Sequence, residues 1–112
     1  MNTLKISYLA KKDLTDIKEY ITVELCNPTA ALNITAKITM RLRELIEFPK
    51  IGASLSAVVP FQTHYRFLVC GHYLMFYRHE ETSIFVDRIL YSKRDYINIL
   101  FGDLSDSTED GL

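Results

Sequence analysis

Apolar residues recur along the first half of the chain in two different spacings. Residues 3–8 alternate between apolar and polar side chains, which predicts a short, half-buried β-strand. From about Leu9 to Leu25 the apolar side chains recur every three or four residues and charged side chains fill the intervals, which predicts one amphipathic helix. The positions expected to face the core are Leu14, Ile17, Ile21 and Leu25.

A second helix is predicted directly after the dipeptide Asn27-Pro28. An asparagine side chain can cap a helix, and proline suits the first helical position, where no N–H donor is needed. Phe48-Pro49 marks the predicted end of this helix. Two amphipathic helices separated by so short a break predict a helical hairpin. The apolar stripe of the second helix consists of Ala31, Ile34, Ile38, Leu42 and Leu45.

The second half of the chain has the character of a β-sheet. Residues 50–63 show no clear period and are predicted to form a loop. Aromatic and β-branched residues dominate residues 64–70, 73–79 and 83–91, which predicts three antiparallel strands joined by tight hairpins. Residues 96–101 are compatible with a last strand, a helical turn or a short helix.

The order of these elements defines the fold class. The order β-α-α-β-β-β, with a short C-terminal element, predicts an α+β domain in which an antiparallel sheet packs on the helical hairpin. A chain of 112 residues has room for one core, so we expect a single domain over residues 1–102. Residues 103–112 are small, polar and acidic, and we expect them to form a disordered tail.

The distribution of charge narrows the classes of partner. Residues 1–102 carry 13 basic side chains against 10 acidic ones, a net charge of +3, and the tail carries the other four acids and no base. Proteins that bind nucleic acid through many phosphate contacts are usually more basic than this. The charge therefore argues against tight, independent nucleic-acid binding, although a few placed arginines can still act on a phosphate.

The sequence predicts a cytoplasmic protein without a cofactor. The apolar runs fall short of the ~20 residues that span a bilayer, and no export signal opens the chain. Cys26 and Cys70 are expected to be reduced, buried thiols. His64, His72 and His79 have no metal-ligand spacing and are expected at the surface, so we expect neither a metal nor a cofactor.

Candidate chemistry lies on the predicted hairpin of residues 64–79. If Gly71-His72 is a two-residue turn, Cys70 lies opposite Tyr73 and Arg66 lies opposite Tyr77. One face then collects Tyr65, Phe67, Val69, Leu74, Phe76 and Arg78, and is expected to pack on the helices. The other face collects Arg66, Leu68, Cys70, Tyr73, Met75, Tyr77 and His79, and is expected to be at least partly open.

An even register through the next turn places Met75 opposite Arg88. Arg88 then joins Arg66 on the open face, with Tyr73 and Tyr77 between them, and this arrangement would attract anions and stack on rings. The same register puts Asp87 among apolar residues, so a bulge or a slipped register is the competing interpretation. Such tyrosines and arginines also commonly cover a sheet or bind a protein partner.

The C-terminal half of the chain resembles that of RelE/ParE family toxins. That family has a strand led by tyrosine or arginine, a hairpin, a strand ending in an aromatic residue, an R-I-L-x-x-x-R-D motif and a hydrophobic close. The matching stretch is residues 64–102, with Arg88-Ile89-Leu90 and Arg94-Asp95 in the motif. The N-terminal half shares the strand, the two helices, the Asn-Pro break and the ending Glu47-Phe48-Pro49.

This resemblance implies a cytoplasmic toxin that is encoded with a smaller antitoxin, whose C-terminal segment wraps the toxin in a hetero-oligomer. RelE-like members cut messenger RNA in the translating ribosome, and ParE-like members poison DNA gyrase. Since one fold hosts both activities, the fold alone does not decide between them.

Site residues follow from the resemblance. Arg66 and Arg94 match the arginines with which RelE-like members stabilise charge on the phosphate, and Arg88 of the same motif is a further candidate. The residues that RelE-like members use for proton transfer have weaker matches in this chain. Tyr91 or Tyr96 could take that role. Residues 50–63 hold a single lysine, where ribosome-dependent members are richly basic.

These matches favour a ParE-like toxin that inhibits gyrase by binding, without catalysis. The alternative is a metal-independent, ribosome-dependent messenger RNA endonuclease. A second alternative is a decayed toxin that only binds its antitoxin.

Overall fold

The computed structural model describes residues 2–102, so the predicted acidic tail lies outside the described residues. The described part contains three α-helices and a five-stranded sheet. The helices are α1 (Tyr8–Glu19), α2 (Pro28–Glu44) and α3 (residues 96–102). The strands are β1 (Thr3–Ile6), β2 (Ala53–Ser54), β3 (Arg66–Cys70), β4 (Tyr73–Glu80) and β5 (Ser83–Tyr91).

The strand order is β1-β5-β4-β3-β2. The predicted meander of β3, β4 and β5 is antiparallel, and β1 adds to its edge in parallel with β5. The predicted loop of residues 50–63 contains the short strand β2 and one 3₁₀ turn, Leu55–Ala57. The α+β class with a helical hairpin is thus confirmed, and the C-terminal element is a short helix.

The first predicted helix changes its geometry before it ends. Ser7 caps α1 by accepting a hydrogen bond from the Ala10 amide at 3.0 Å, which ends β1 two residues earlier than predicted. After α1 the chain continues as a π-helical turn, Tyr20–Glu24. Because a π turn holds more residues than an α turn, the stripe rotates away from the core. Ile17 and Ile21 are buried as predicted, whereas Leu25 is exposed, contrary to the prediction.

The link between the helices places its cysteine at the surface. Asn27 caps α2 through its side chain, which accepts from the Ala30 amide at 3.0 Å, and Pro28 occupies the first turn as predicted. Cys26 has a left-handed backbone with φ of 51° and is exposed, so the prediction of a buried thiol is wrong for Cys26. Cys70 is buried as expected.

Two hydrophobic cores lie on opposite faces of the sheet. The first joins the helical hairpin to Leu68, Cys70, Met75 and Tyr77. The second joins α3 and residues 55–61 to Phe76, Leu90 and their neighbours. The assignment of sheet faces was therefore wrong: the face expected to be open packs on the helices, and the face expected on the helices packs on α3.

A bulge in β5 explains why the predicted pairing of β4 with β5 fails between Tyr73 and Phe76. Cys70 pairs with Tyr73 and Arg66 with Tyr77, as predicted. The register then shifts between Phe76 and Tyr77, so Arg88 lies opposite Phe76 and Met75 lies opposite Ile89. Asp87 is the extra residue of this bulge, which relieves the conflict that an even register created at that position.

No helix within residues 2–102 is long and apolar enough to cross a membrane.

Candidate functional site

Strand β5 extends past the end of β1, and the carboxylate of Asp13, a residue of α1, covers its free edge there. Strand β1 pairs with β5 only as far as Ile6 and Val86, and Ser7 then starts the helix. Asp13 Oδ2 accepts from the Ile89 amide at 2.9 Å, where a continued β1 would otherwise pair. Arg88 donates to both oxygens of the same carboxylate, at 2.7 and 2.8 Å. Asp13 raises the pKa of Arg88 through these hydrogen bonds.

A groove opens next to this contact, between α1, the π-helical turn and the end of β5. It has a volume of about 560 Å³. Ile17, Tyr20 and Leu25 line the helical side, and Ile89 and Leu90 line the sheet side. We name this the α1–β5 groove. The remaining lining residues are Asp13, Asp16, His72, Tyr73, Tyr91 and Arg94.

Aromatic rings and one cation form the rim of the α1–β5 groove. The ring of Tyr91 lies 6.0 Å from that of Tyr73 and 6.2 Å from that of His72, measured between centroids. Burial raises the pKa of Tyr73. Arg94 is exposed, and no ion pair joins it to any of residues 2–102. The rim can therefore offer ring faces and a guanidinium group to a partner.

Arg66 has a different environment, at the β2 end of the sheet. Its guanidinium donates to the Gly52 carbonyl at 2.7 Å. The buried Tyr77 hydroxyl donates to the Pro49 carbonyl at 2.8 Å and accepts from the Gly52 amide at 3.0 Å. A Cβ on Gly52 would lie 2.6 Å from that hydroxyl, so only glycine permits this approach. Arg66 and Tyr77 thus fix the loop that follows α2.

The β5 bulge carries a third polar cluster. Asp87 accepts from the Tyr65 hydroxyl at 2.6 Å and from Arg78 Nε at 2.8 Å. Burial, together with the hydrogen bond to Asp87, raises the pKa of Tyr65 to about 12. Arg78 also lies over the Phe85 ring at 4.9 Å. These contacts join the residue before β3 and the strand β4 to the bulge of β5.

The structure brings together two of the five candidate site residues. Tyr91 and Arg94 share the α1–β5 groove, whereas Arg66 holds the loop after α2 and Arg88 pairs with Asp13. Tyr96 packs in the second core, 5.3 Å from the Phe76 ring. The predicted surface of Arg66 and Arg88 with two tyrosines between them does not form, because the bulge redirects Arg88 and Tyr77 is buried.

Asp13 is the residue of this site that the sequence reasoning missed. It is buried on the same side of α1 as Ala10 and Ile17. A signal was present, since Asp13 precedes Ile17 and Ile21 by four and eight residues and so stands in their stripe. An acid in an apolar stripe needs a buried partner.

The remaining titratable groups show no metal centre. Within the described part of the chain, no three His, Cys, Asp or Glu side chains lie close enough together to hold a metal ion. His64 and His72 are exposed as expected, and His79 is half-buried, 3.3 Å from Asn2 Oδ1.

Comparisons with known proteins agree with this architecture. The family of ParE toxins of type II toxin–antitoxin systems, parDE, matches residues 4–96. A solved structure described as the chromosomal ParDE TA system from P. aeruginosa superposes with a TM-score of 0.69 at 25% identity. That match covers 83% of this chain and 98% of the other. No curated protein sequence matches the chain. With a family match over most of its length and this agreement in fold, the chain belongs to the ParE toxin family of type II toxin–antitoxin systems.

Proposed function

We propose that this protein is the toxin of a type II toxin–antitoxin pair, that it inhibits DNA gyrase by binding, and that a cognate antitoxin neutralises it in a cytoplasmic hetero-oligomer. Membership of the ParE family supports the toxin assignment. Gyrase is the target that the resemblance to ParE-like toxins implies.

The observation that favours inhibition by binding over catalysis is the set of contacts that the arginines make within the fold. Metal-free cleavage of RNA needs cations that are available to the phosphorane oxygens. Arg66 is bound to the Gly52 carbonyl, and Arg88 forms two hydrogen bonds with a buried carboxylate. The charge of Arg88 is therefore neutralised within the fold and one donor of Arg66 holds the loop after α2, whereas Arg94 is exposed and forms no ion pair with residues 2–102.

The α1–β5 groove is the surface that we assign to protein contacts. Its apolar floor continues onto Tyr20, Val23 and Leu25, which are 52%, 60% and 57% exposed. A surface of this kind suits the apolar face of an amphipathic helix. An antitoxin segment with such a face would bury side chains that water otherwise contacts.

One observation favours messenger RNA cleavage as a second candidate. Tyr91, Arg94 and His72 meet at the rim of the α1–β5 groove, where an imidazole or a phenol could transfer a proton beside a guanidinium. This candidate needs a single arginine to supply the charge stabilisation that RelE-like members distribute over several.

A supercoiling assay with purified gyrase tests the proposal. We expect the wild-type chain to block supercoiling, and we expect Arg94→Gln to weaken the block about ten-fold, which corresponds to ~1.4 kcal/mol. Lys50→Gln removes one exposed cation away from the groove and should leave the inhibition unchanged. In cells, induction of the chain alone should arrest growth with DNA damage and filamentation.

Two other outcomes would contradict gyrase inhibition. Supercoiling that persists at micromolar toxin, while messenger RNA is cut in translated frames, would establish the endonuclease. Absence of both effects and of growth arrest would identify a decayed toxin that retains only antitoxin binding.

A further inference from the structure

We propose that the acidic C-terminal segment, residues 103–112, docks in the α1–β5 groove of its own chain and is held there by Arg94. This proposal concerns the free protein, and it holds whichever target the toxin acts on. Three features support it: the opposite charges of the groove and the segment, the apolar floor of the groove, and the length of the segment.

Among the described residues, the charge of the groove lining that has no ion-pair partner is positive. Its two carboxylates are already neutralised, Asp13 by Arg88 and Asp16 by Lys12. Arg94 is exposed, forms no ion pair with the described residues, and follows the exposed Lys93. The segment 103–112 carries four acidic side chains and no basic one. Opposite charges of this kind attract at the short distances that salt does not screen.

The groove also offers apolar contacts that match the segment. Ile17 and Ile89 form part of its floor, beside the ring of Tyr73. The segment has leucines at positions 104 and 112, which flank three of its four acidic residues. A chain with both properties can place carboxylates at Arg94 while a leucine covers the floor, which removes apolar surface from water.

The segment begins close enough to return to the groove. Helix α3 starts two residues after Arg94, and its seven described residues span ~10 Å. It runs along the second core, with Tyr96 beside Phe76 and Phe101 beside Tyr65. Ten further residues can extend ~33 Å, about three times the length of α3. A tethered segment at this distance has an effective concentration in the mM range, so even a weak contact is populated.

The consequence is competition within one chain. A partner that uses the α1–β5 groove has to displace residues 103–112, so the segment lowers the affinity of the free toxin for that partner. If the groove binds the antitoxin, as proposed above, removal of the segment strengthens antitoxin binding. The docking itself does not depend on that assignment.

A paramagnetic label on Cys26 tests the docking directly. Cys26 is exposed and follows the groove residue Leu25, whereas Cys70 is buried, so a thiol-reactive nitroxide modifies the intended site. With the full chain, we expect the amide signals of residues 104–112 to lose more than half of their intensity, since a mM contact at a mM effective concentration is about half occupied and its fast exchange spreads the broadening over the whole population. The intensity should recover at high salt.

Charge variants decide whether the contact is the one proposed. Arg94→Gln should restore the signals, and so should the combined change Asp106→Asn, Glu109→Gln and Asp110→Asn, which leaves the described domain untouched. Lys50→Gln removes a cation outside the groove and should change nothing. Signals of full intensity in the labelled wild type would overturn the proposal, as would an equal loss in wild type and Arg94→Gln.

Discussion

At the scale of single residues, Asp13 shows how one side chain completes a sheet edge. It lies on α1, yet it accepts the hydrogen bond of the Ile89 amide in place of a strand and neutralises Arg88. The pair is largely buried, with 9% of the Asp13 side chain and 20% of the Arg88 side chain exposed. Moving the two charges of such a pair out of water costs free energy. Removing one of them leaves the other as an uncompensated buried charge.

Replacement of Asp13 by asparagine should therefore destabilise the protein. Asparagine can still accept from Ile89, but Arg88 loses its counter-charge. Breaking a buried pair costs about 3–5 kcal/mol, and the remaining exposure of Arg88 lowers our expectation to about 2 kcal/mol. Urea denaturation measures this loss in the free energy of unfolding.

A matched control lies one turn further along the same helix. Asp16 pairs with Lys12, and both side chains are more than half exposed. Asp16→Asn should cost no more than ~0.5 kcal/mol. Equal losses for Asp13→Asn and Asp16→Asn would mean that the edge of β5 does not depend on the buried carboxylate.

At the scale of elements, the helices and the hairpin turns could be predicted because their signals are local. The Asn27-Pro28 cap and the stripe of α2 lie within the helix itself. Gly71 occupies a left-handed turn with φ of 58°, which fixes the register of β3 and β4. The π-helical turn has no such local signal, and Leu25 was misplaced for that reason.

The faces of the sheet could not be predicted, because both of them are apolar. The alternation of side chains along a strand separates them into two sets, one for each face of the sheet. It does not determine which set packs on the helical hairpin. Phe76 and Met75 are both completely buried, on opposite faces, because α3 and residues 55–61 cover the second one. The position of Asp87 did indicate a bulge, and that bulge separates Arg88 from Arg66.

The polar cluster at this bulge should make stability depend on alkaline pH. The pKa of Tyr65 is about 12 in the folded protein, against 10.0 for an ordinary tyrosine. Because the folded state holds the proton more tightly, the contribution of Tyr65 is complete below pH 10 and decreases as the pH rises through about 12. The free energy of unfolding should therefore fall between these two values.

Tyrosine variants separate this effect from general alkaline damage. Tyr65→Phe should lose a large part of the decrease with pH, although it starts from a lower stability because the hydrogen bond to Asp87 is gone. Tyr8→Phe, at a side chain that is 77% exposed, should keep the wild-type decrease. Identical pH profiles for wild type and Tyr65→Phe would show that Tyr65 does not carry the dependence.

At the scale of the whole molecule, the sheet is stabilised from both faces by segments far apart in sequence. The helical hairpin covers one face, and α3 with residues 55–61 covers the other. Residues 96–101 were compatible with three structures because so short a segment has little preference of its own. Packing on the second core selects the helix, with Tyr96 beside Phe76 and Phe101 beside Phe61.

Two truncations of the chain test this view and the predicted domain boundary together. A chain that ends after Gly102 keeps both cores and should unfold with a free energy within ~0.5 kcal/mol of that of the full chain, the small difference that half-occupied docking of residues 103–112 would contribute. A chain that ends after Asp95 loses the apolar side chains of α3, each half-buried in the second core. At ~1 kcal/mol for each half-buried side chain, the loss is about 5 kcal/mol, comparable with the whole stability of a small domain. Differential scanning calorimetry should therefore show the full cooperative transition for the first chain and a weak or absent transition for the second. A cooperative transition in the chain that ends after Asp95 would mean that the helical hairpin and the sheet fold without their second cover.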